Sequence, residues 1–194
     1  MPKTHSMNNF MATDTEDATE RLIADLYRVE GKAEIVSGQI VSLPRSGGMP
    51  SRAAGAILYS LKTQDRELGG RAYTSTVVFL LDLPHRKSIS PDASFYVGPR
   101  SGMKFPQGAP VFAAEVREED EYGKEAEQAI AAKRADYFAA GTKVVWDVDL
   151  LGDDIVRVYR ADSPEQPTVY RRSETAEAEP AVPGWSFPVD ELFE

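Results

Sequence analysis

A helix caught between two strands constrains this chain more than any other feature. "EYGKEAEQAIAAKRADYFAAG", residues 121–141, sets Ala126, Ala129, Ile130, Lys133, Tyr137 and Ala140 at spacings of three and four, with Gly141 at its C-terminal end. That is the stripe and stop of an amphipathic helix. Before it stands the short apolar run "VFAAEVRE", and after it "KVVWDVDL", where Val144, Trp146, Val148 and Leu150 alternate with Lys143, Val145, Asp147 and Asp149. A strand–helix–strand crossover makes its two strands parallel.

The upstream segments extend the pattern. A helix capped by Ser51 turns Ala54, Ile57, Leu58, Leu61 and Leu68 inward and closes at Gly69-Gly70. "AYTSTVVFLLDL" and "SFYV" read as strands, so residues 51–150 run helix, three strands, helix, strand. The predicted fold class is α/β, a mixed sheet with helices on both faces. N-terminal to it, "TDTEDATERLIADLYRVEG" places Ala18, Leu22 and Leu26 on one helical face behind a Thr13/Glu16 capping box and ends at Gly31. "AEIVSGQIVSLP" reads as a hairpin turning at Ser37-Gly38. "DIVRVYR" and "TVYRR" extend the far side as strands, and "VPGWSFPVDELFE" is a short capping segment. Residues 1–13 are expected to be a disordered polar tail and 14–194 a single domain.

Composition narrows the chemistry. The chain has no cysteine, which excludes disulfides, thiolate metal sites and a cysteine nucleophile. Only His5 and His85 offer imidazole, so a multi-histidine zinc site is out. Any metal must be held mainly by oxygen, as magnesium or manganese is. No apolar run is long enough to span a membrane, and the polar start lacks a secretory core, so a cytoplasmic protein is expected. The net charge is −9, yet residues 43–104 hold nine Lys/Arg against four Asp/Glu. That excess is either scatter over solvated faces or a basic surface beside an acidic site, as a phosphodiester-cutting protein would need.

"SISPDASFYV" poses the central question. Pro91 cannot donate a ladder hydrogen bond and is tolerated only at the start of a strand. Asp92 beside it is either a surface loop residue or has a cation to hold. Glu115 sits late in the next strand, and two strands joined by a loop of this length bring both carboxylates to one end of the sheet. Arg117, two residues on, projects from the same face. Paired acids can hold a divalent metal that polarises phosphate and activates water, while a cation offsets charge in the transition state. Lys133 lies inside the helical stripe. It either snorkels to water or reaches the carboxylates on the sheet below.

Taken in order, "SPDASF … FAAEVRE … AAKRADYFAAGTKVVWDVD" resembles the Uma-type (Uma-two) restriction-endonuclease family of the PD-(D/E)xK nuclease superfamily. The resemblance runs from the "AEIVSGQIV" hairpin through "VWDVD". Pro91-Asp92 matches the PD, Glu115-Val116 the E-V, Lys133 with Tyr137 and Gly141 the K-x-x-x-Y-x-x-x-G, and Trp146 with Asp149 the W-x-x-D. The resemblance implies an α-β-β-β-α-β core and magnesium- or manganese-dependent hydrolysis of DNA, commonly by a homodimer. Asp92 and Glu115 would bind the metal, and Glu34, where the family carries a hairpin glutamate, would assist through the metal or a water. Lys133 would orient the nucleophilic water and Arg117 would contact phosphate. Arg45, Arg52, Arg86, Lys87, Arg100 and Lys104, on loops expected to flank the site, would bind the DNA backbone.

Two departures stand out. Arg117 occupies the usual lysine position, and arginine does not deprotonate in proteins. Glu118-Glu119 replaces a serine-proline and opens an acidic run through Glu121. These features keep open a second reading, an inactive or regulatory binding protein on the nuclease fold. A third is hydrolysis of a small phosphorylated ligand.

Overall fold

The structure, a computed structural model, describes residues 8–194, with side chains described from Asp17 onward. Helix α1 (Asn8–Leu26) leads into a hairpin of β1 (Ala33–Val36) and β2 (Gln39–Ser42). Thr13 therefore falls inside α1 instead of capping it, and the expected tail, residues 1–13, lies in part outside the described residues. Ser37 and Gly38 both take positive φ, 50° and 74°, the conformation a two-residue hairpin turn needs.

Helix α2 spans Gly48–Leu61 and ends in a 3-10 turn over Lys62–Gln64. It starts three residues before the expected Ser51, because the extended Gly47 serves as its cap and Pro50 fits a first helical turn. It stops well short of Gly69, where the Asp65 carboxylate takes the Ala72 N–H at 2.8 Å and turns the chain. The long strand expected over residues 72–83 divides into β3 (Arg71–Thr74) and β4 (Phe79–Leu80). The Ser90 hydroxyl, bonded to the carbonyls of Ser75 and Val77 at 3.0 and 2.7 Å, fixes the break. Strand β4 then pairs with β5 (Ser88–Ile89) in a separate ribbon.

Strands β6 (Ala93–Tyr96), β7 (Phe112–Val116), β8 (Val144–Val148), β9 (Val156–Arg160) and β10 (Ser163–Tyr170) join β3 in a six-stranded sheet of order β10-β9-β8-β7-β6-β3. Helix α3 (Lys124–Ala139) carries the chain from β7 to β8, which are parallel, while all other neighbours in this sheet are antiparallel. The fold is mixed α/β, as the crossover requires.

One face of the sheet packs Phe95, Phe112, Trp146 and Val158 against Ile57 and Leu61 of α2. Trp185 and Phe187 complete that core from a C-terminal hairpin of β11 (Thr175–Glu177) and β12 (Ser186–Pro188). The Trp146 and Trp185 rings stack 5.1 Å apart. The opposite face, carrying Tyr96, Ala113 and Val145, receives Tyr137 from α3 together with Phe79 and Ile89. Both faces are covered, so all of β8 is buried despite its alternating sequence.

Helix α3 sits on the sheet differently from the expected apolar stripe. Ala129 is exposed and Ile130 half-buried, whereas Asp136 and Tyr137 are its buried residues. Charged and hydroxyl groups, more than alkyl groups, turn α3 toward the sheet.

Candidate active site: a row of acids beneath helix α3

The register of three strands creates the site. Ala93 of β6 pairs with Ala114 of β7, so Asp92 and Glu115 fall side by side, and Glu115 pairs in turn with Asp147 of β8. Side chains two apart on a strand share a face, and this row shares the α3 face with Ala113 and Val145. Three neighbouring carboxylates would repel one another, and each is met by its own cation.

Asp92 accepts from Lys32 Nζ at 2.7 Å and, through its other oxygen, from the Val116 N–H at 2.9 Å. Glu115 lies 2.9 Å from Lys133 Nζ through each carboxylate oxygen and also accepts from the Tyr137 hydroxyl. Asp147 accepts two bonds of 2.7 Å from Arg117, which donates two more to Glu127 of α3. Beneath the row, buried Glu34 takes the Ser90 N–H at 2.9 Å, stands 3.3 Å from Lys133 and binds Arg86. Arg86 continues to Asp136 of α3 at 2.5 Å, which also meets His85 at 2.6 Å.

Burial and charge set the protonation states. Burial pushes the Glu115 carboxyl up, as does Asp92, while Lys133, Lys32 and the Tyr137 hydroxyl act against that rise without cancelling it. Burial alone would depress Lys133, but Glu115 and Glu34 outweigh it and hold the ammonium above its ordinary range. Lys133 is therefore a charged hydrogen-bond donor here. Burial and the adjacent carboxylates raise Tyr137 well above its usual value, so it too donates. The hydrogen bonds that Arg117 donates to Asp147 lift its own pKa further.

Asp92, Glu115 and Lys133 form the floor of an open cleft of about 660 Å³. Lys32, Arg45 and Ser46, from the hairpin and the segment after it, also line the cleft, as do Thr74 and Thr76. Glu118 lies at the rim, where its carboxylate takes the Ser46 hydroxyl at 2.6 Å and the Gly47 N–H at 2.9 Å. A second cavity of about 410 Å³, between the hairpin and α3, reaches Glu115 and Lys133 from the other side.

Of the residues singled out in sequence, the structure brings together Asp92, Glu115, Lys133 and Glu34. Arg117 shares their face, but its guanidinium is closed between Asp147 and Glu127. Among the six cations expected on DNA, Arg45 lines the cleft. Exposed Arg52 donates to the terminal Glu194 carbonyl at 3.1 Å. Arg86 is buried in the ion-pair network, its Nε on Asp136 and its Nη1 on Glu34, and is not a surface cation. Lys87 sits 3.4 Å from Asp82 at the surface. Arg100 and Lys104 lie on the loop joining β6 to β7. That loop leaves the strands at the end opposite Asp92 and Glu115, and neither cation lines the cleft.

Lys32 is the site residue that sequence reasoning missed. Its signal was present: it precedes β1 at position i−2 from Glu34, the spacing that puts two side chains on one face of an extended chain. Asp136 was hidden because a buried aspartate on a helix looks in sequence like any solvated one.

Oxygen donors from two adjacent strands suit a hard divalent ion in type and number. Magnesium is commonly held by one or two carboxylates, with water and substrate phosphate completing its shell. Among the described residues no three Asp, Glu or His side chains converge on one point, so a shell supplied wholly by protein is not formed.

The family model described as Uma2, putative restriction endonuclease, matches residues 21–190. A crystal structure of a putative nuclease belonging to DUF820 from Anabaena variabilis is similar with a TM-score of 0.67. It is 16% identical, and the likeness covers 89% of this chain and 97% of that one. At that identity the likeness is one of fold. No curated protein sequence matches the chain. No helix among the described residues is long and apolar enough to cross a membrane.

Proposed function

The chain belongs to the Uma2 family of putative restriction endonucleases, and from that premise we propose that it is a magnesium- or manganese-dependent endonuclease cutting the phosphodiester backbone of DNA. One observation carries the reading. Two carboxylates on adjacent strands, Asp92 and Glu115, lie at the floor of an open cleft, each already matched to an ammonium group.

Asp92 and Glu115 would hold the ion, which when bound supplies charge neutralisation at the phosphate and a more acidic water. Lys133 donates from its seat on Glu115 and orients the attacking water. Tyr137 fixes the Glu115 carboxylate in one rotamer by donating to it. Glu34 acts from below, dividing its oxygens between Lys133 and Arg86 and so holding Lys133 in place. Arg45, which lines the cleft, meets the backbone phosphates. Arg117 belongs to the frame beneath α3 and not to the substrate surface.

The test is calorimetric titration of magnesium into wild type, Asp92→Asn and Glu115→Gln, with plasmid cleavage followed in parallel. Both variants should lose at least about tenfold in affinity, the loss that mutating even a hydrogen-bond partner of a metal ligand brings, and cleavage should fall with them. Equal binding by all three proteins removes the assignment. A specific observation favours the runner-up, a nuclease-fold binding protein: the cation two residues after Glu115 puts four of its hydrogen bonds on Asp147 and Glu127 and none on Asp92 or Glu115. Metal-dependent DNA binding without cleavage would select it.

A further inference from the structure

Among the cations of the acid row, Lys32 is held differently from the rest. Lys133 is gripped by both oxygens of Glu115 and by Glu34, and Arg117 is closed by two acids. Lys32 has a single carboxylate contact, 2.7 Å to Asp92 Oδ1, and its side chain stands in the wall of the large cleft.

We propose that Lys32 is a displaceable placeholder: it neutralises Asp92 until a divalent cation takes that seat, then swings into the cleft and offers its ammonium to a backbone phosphate. The proposal rests on the reading of Asp92 and Glu115 as metal ligands.

Charge and anchoring both lead there. In the metal-free cluster, Asp92 and Glu115 are balanced by two ammonium groups. A divalent ion adds two positive charges to an already neutral set, and one ammonium must leave the crowded row. Lys133 leaves less cheaply, because its departure breaks its contacts with both oxygens of Glu115 and with buried Glu34. Lys32 leaves more readily, since only one hydrogen bond breaks and Asp92 keeps the Val116 N–H through its other oxygen.

The backbone need not follow. The Lys32 carbonyl accepts the Leu43 N–H at 2.8 Å, and Ala33 is buried in register with Ser42, so the hairpin base stays fixed while the side chain rotates. The side chains of Lys32 and Asp92 remain about one-fifth exposed, which leaves water a path to the seat being exchanged. From that fixed base the long alkyl stem reaches the cleft that Arg45 and Ser46 also line, where an entering phosphate would lie.

The experiment is titration of magnesium chloride into the wild type, Lys32→Met and Lys32→Gln by calorimetry. Removing the competing ammonium should tighten magnesium binding by about tenfold, the scale of one half-buried ion pair. In magnesium, binding of a DNA duplex by the same variants should lose about one unit of salt slope, the mark of one missing phosphate contact. Lys32→Gln keeps a neutral donor to Asp92 and serves if Lys32→Met does not fold. A role confined to structure would lower the melting temperature and leave the magnesium affinity unchanged, so unchanged or weaker affinity in a folded variant overturns the proposal. Asp92→Asn in the same series separates the two levels. Loss of binding there with a flat Lys32 series overturns the placeholder alone, whereas wild-type binding by Asp92→Asn overturns the metal reading beneath it.

Discussion

Lys133→Met tests the centre of the site most directly. Methionine preserves most of the stem's packing in α3 and removes only the ammonium. What remains is Glu115 without its closest cation and Glu34 with Arg86 alone. Breaking a fully buried pair costs about 3–5 kcal/mol. Lys133 and Glu115 are about one-fifth to one-quarter exposed, and Tyr137 still donates to Glu115, so the expected loss is about 2–3 kcal/mol. For a chain of this size that lowers the melting temperature by about 5–10 °C. The pH dependence has a definite sign. Burial already lifts Glu115 above its ordinary 4.5, and Lys133 opposes that lift. A carboxyl raised in the folded state takes up its proton there first, so its ionisation subtracts stability as pH rises through the raised value. Removing Lys133 raises it further. The deficit of the variant should therefore be full above that value and shrink as pH falls toward 4.5 and below. Lys133 itself contributes no pH dependence in this window, since its folded pKa lies above the ordinary 10.5. Differential scanning calorimetry of wild type and Lys133→Met from neutral to acid pH measures both quantities. A variant as stable as the wild type, or a deficit that does not change with pH, would refute the linkage between Lys133 and Glu115.

Two further outcomes follow from the same geometry. Arg117→Lys keeps the charge but cannot span Asp147 and Glu127 at once, so chemical denaturation should show a loss of about 2 kcal/mol while the salt slope of DNA binding stays at the wild-type value; a reduced slope would return Arg117 to the substrate surface. In Gly70→Ala the new Cβ would stand 2.3 Å from the buried Phe95 ring, against the sheet face that packs on α2. An overpacked core costs about 1–3 kcal/mol, and an unchanged denaturation midpoint would show that Phe95 can move aside.

The parts of the fold legible in the sequence were those fixed by local periodicity. The β7–α3–β8 crossover and the Ser37-Gly38 turn are set by alternation and by residues that accept positive φ. The break between β3 and β4 was not legible, because it depends on Ser90 reaching across to two carbonyls from a distant segment. The site divides in the same way. Asp92 and Glu115 were visible because strand register is a property of spacing, and Lys133 because a charge inside a stripe is conspicuous. Whether a given arginine faces substrate or closes an internal pair is decided by what stands opposite it. Arg86 and Arg117 read as surface cations, and each is instead enclosed by acids from other elements: Glu34 and Asp136 around Arg86, Asp147 and Glu127 around Arg117.

The seating of α3 by ionic groups has a consequence for how the protein breathes. A helix docked through alkyl packing stays down until the core itself opens. Helix α3 seats the Tyr137 ring in the core near its C-terminal end, and along the rest of its length it hangs on Glu127, Lys133 and Asp136, which bond to Arg117, Glu115, Arg86 and His85. The bonds that assemble the site are thus the fastenings of the element above it. Amide protons along α3 should exchange through an opening of that helix alone, well below the energy of global unfolding, and the opening would become easier with each cation removed from the row. A substitution made to alter the chemistry would at the same time loosen the lid over it.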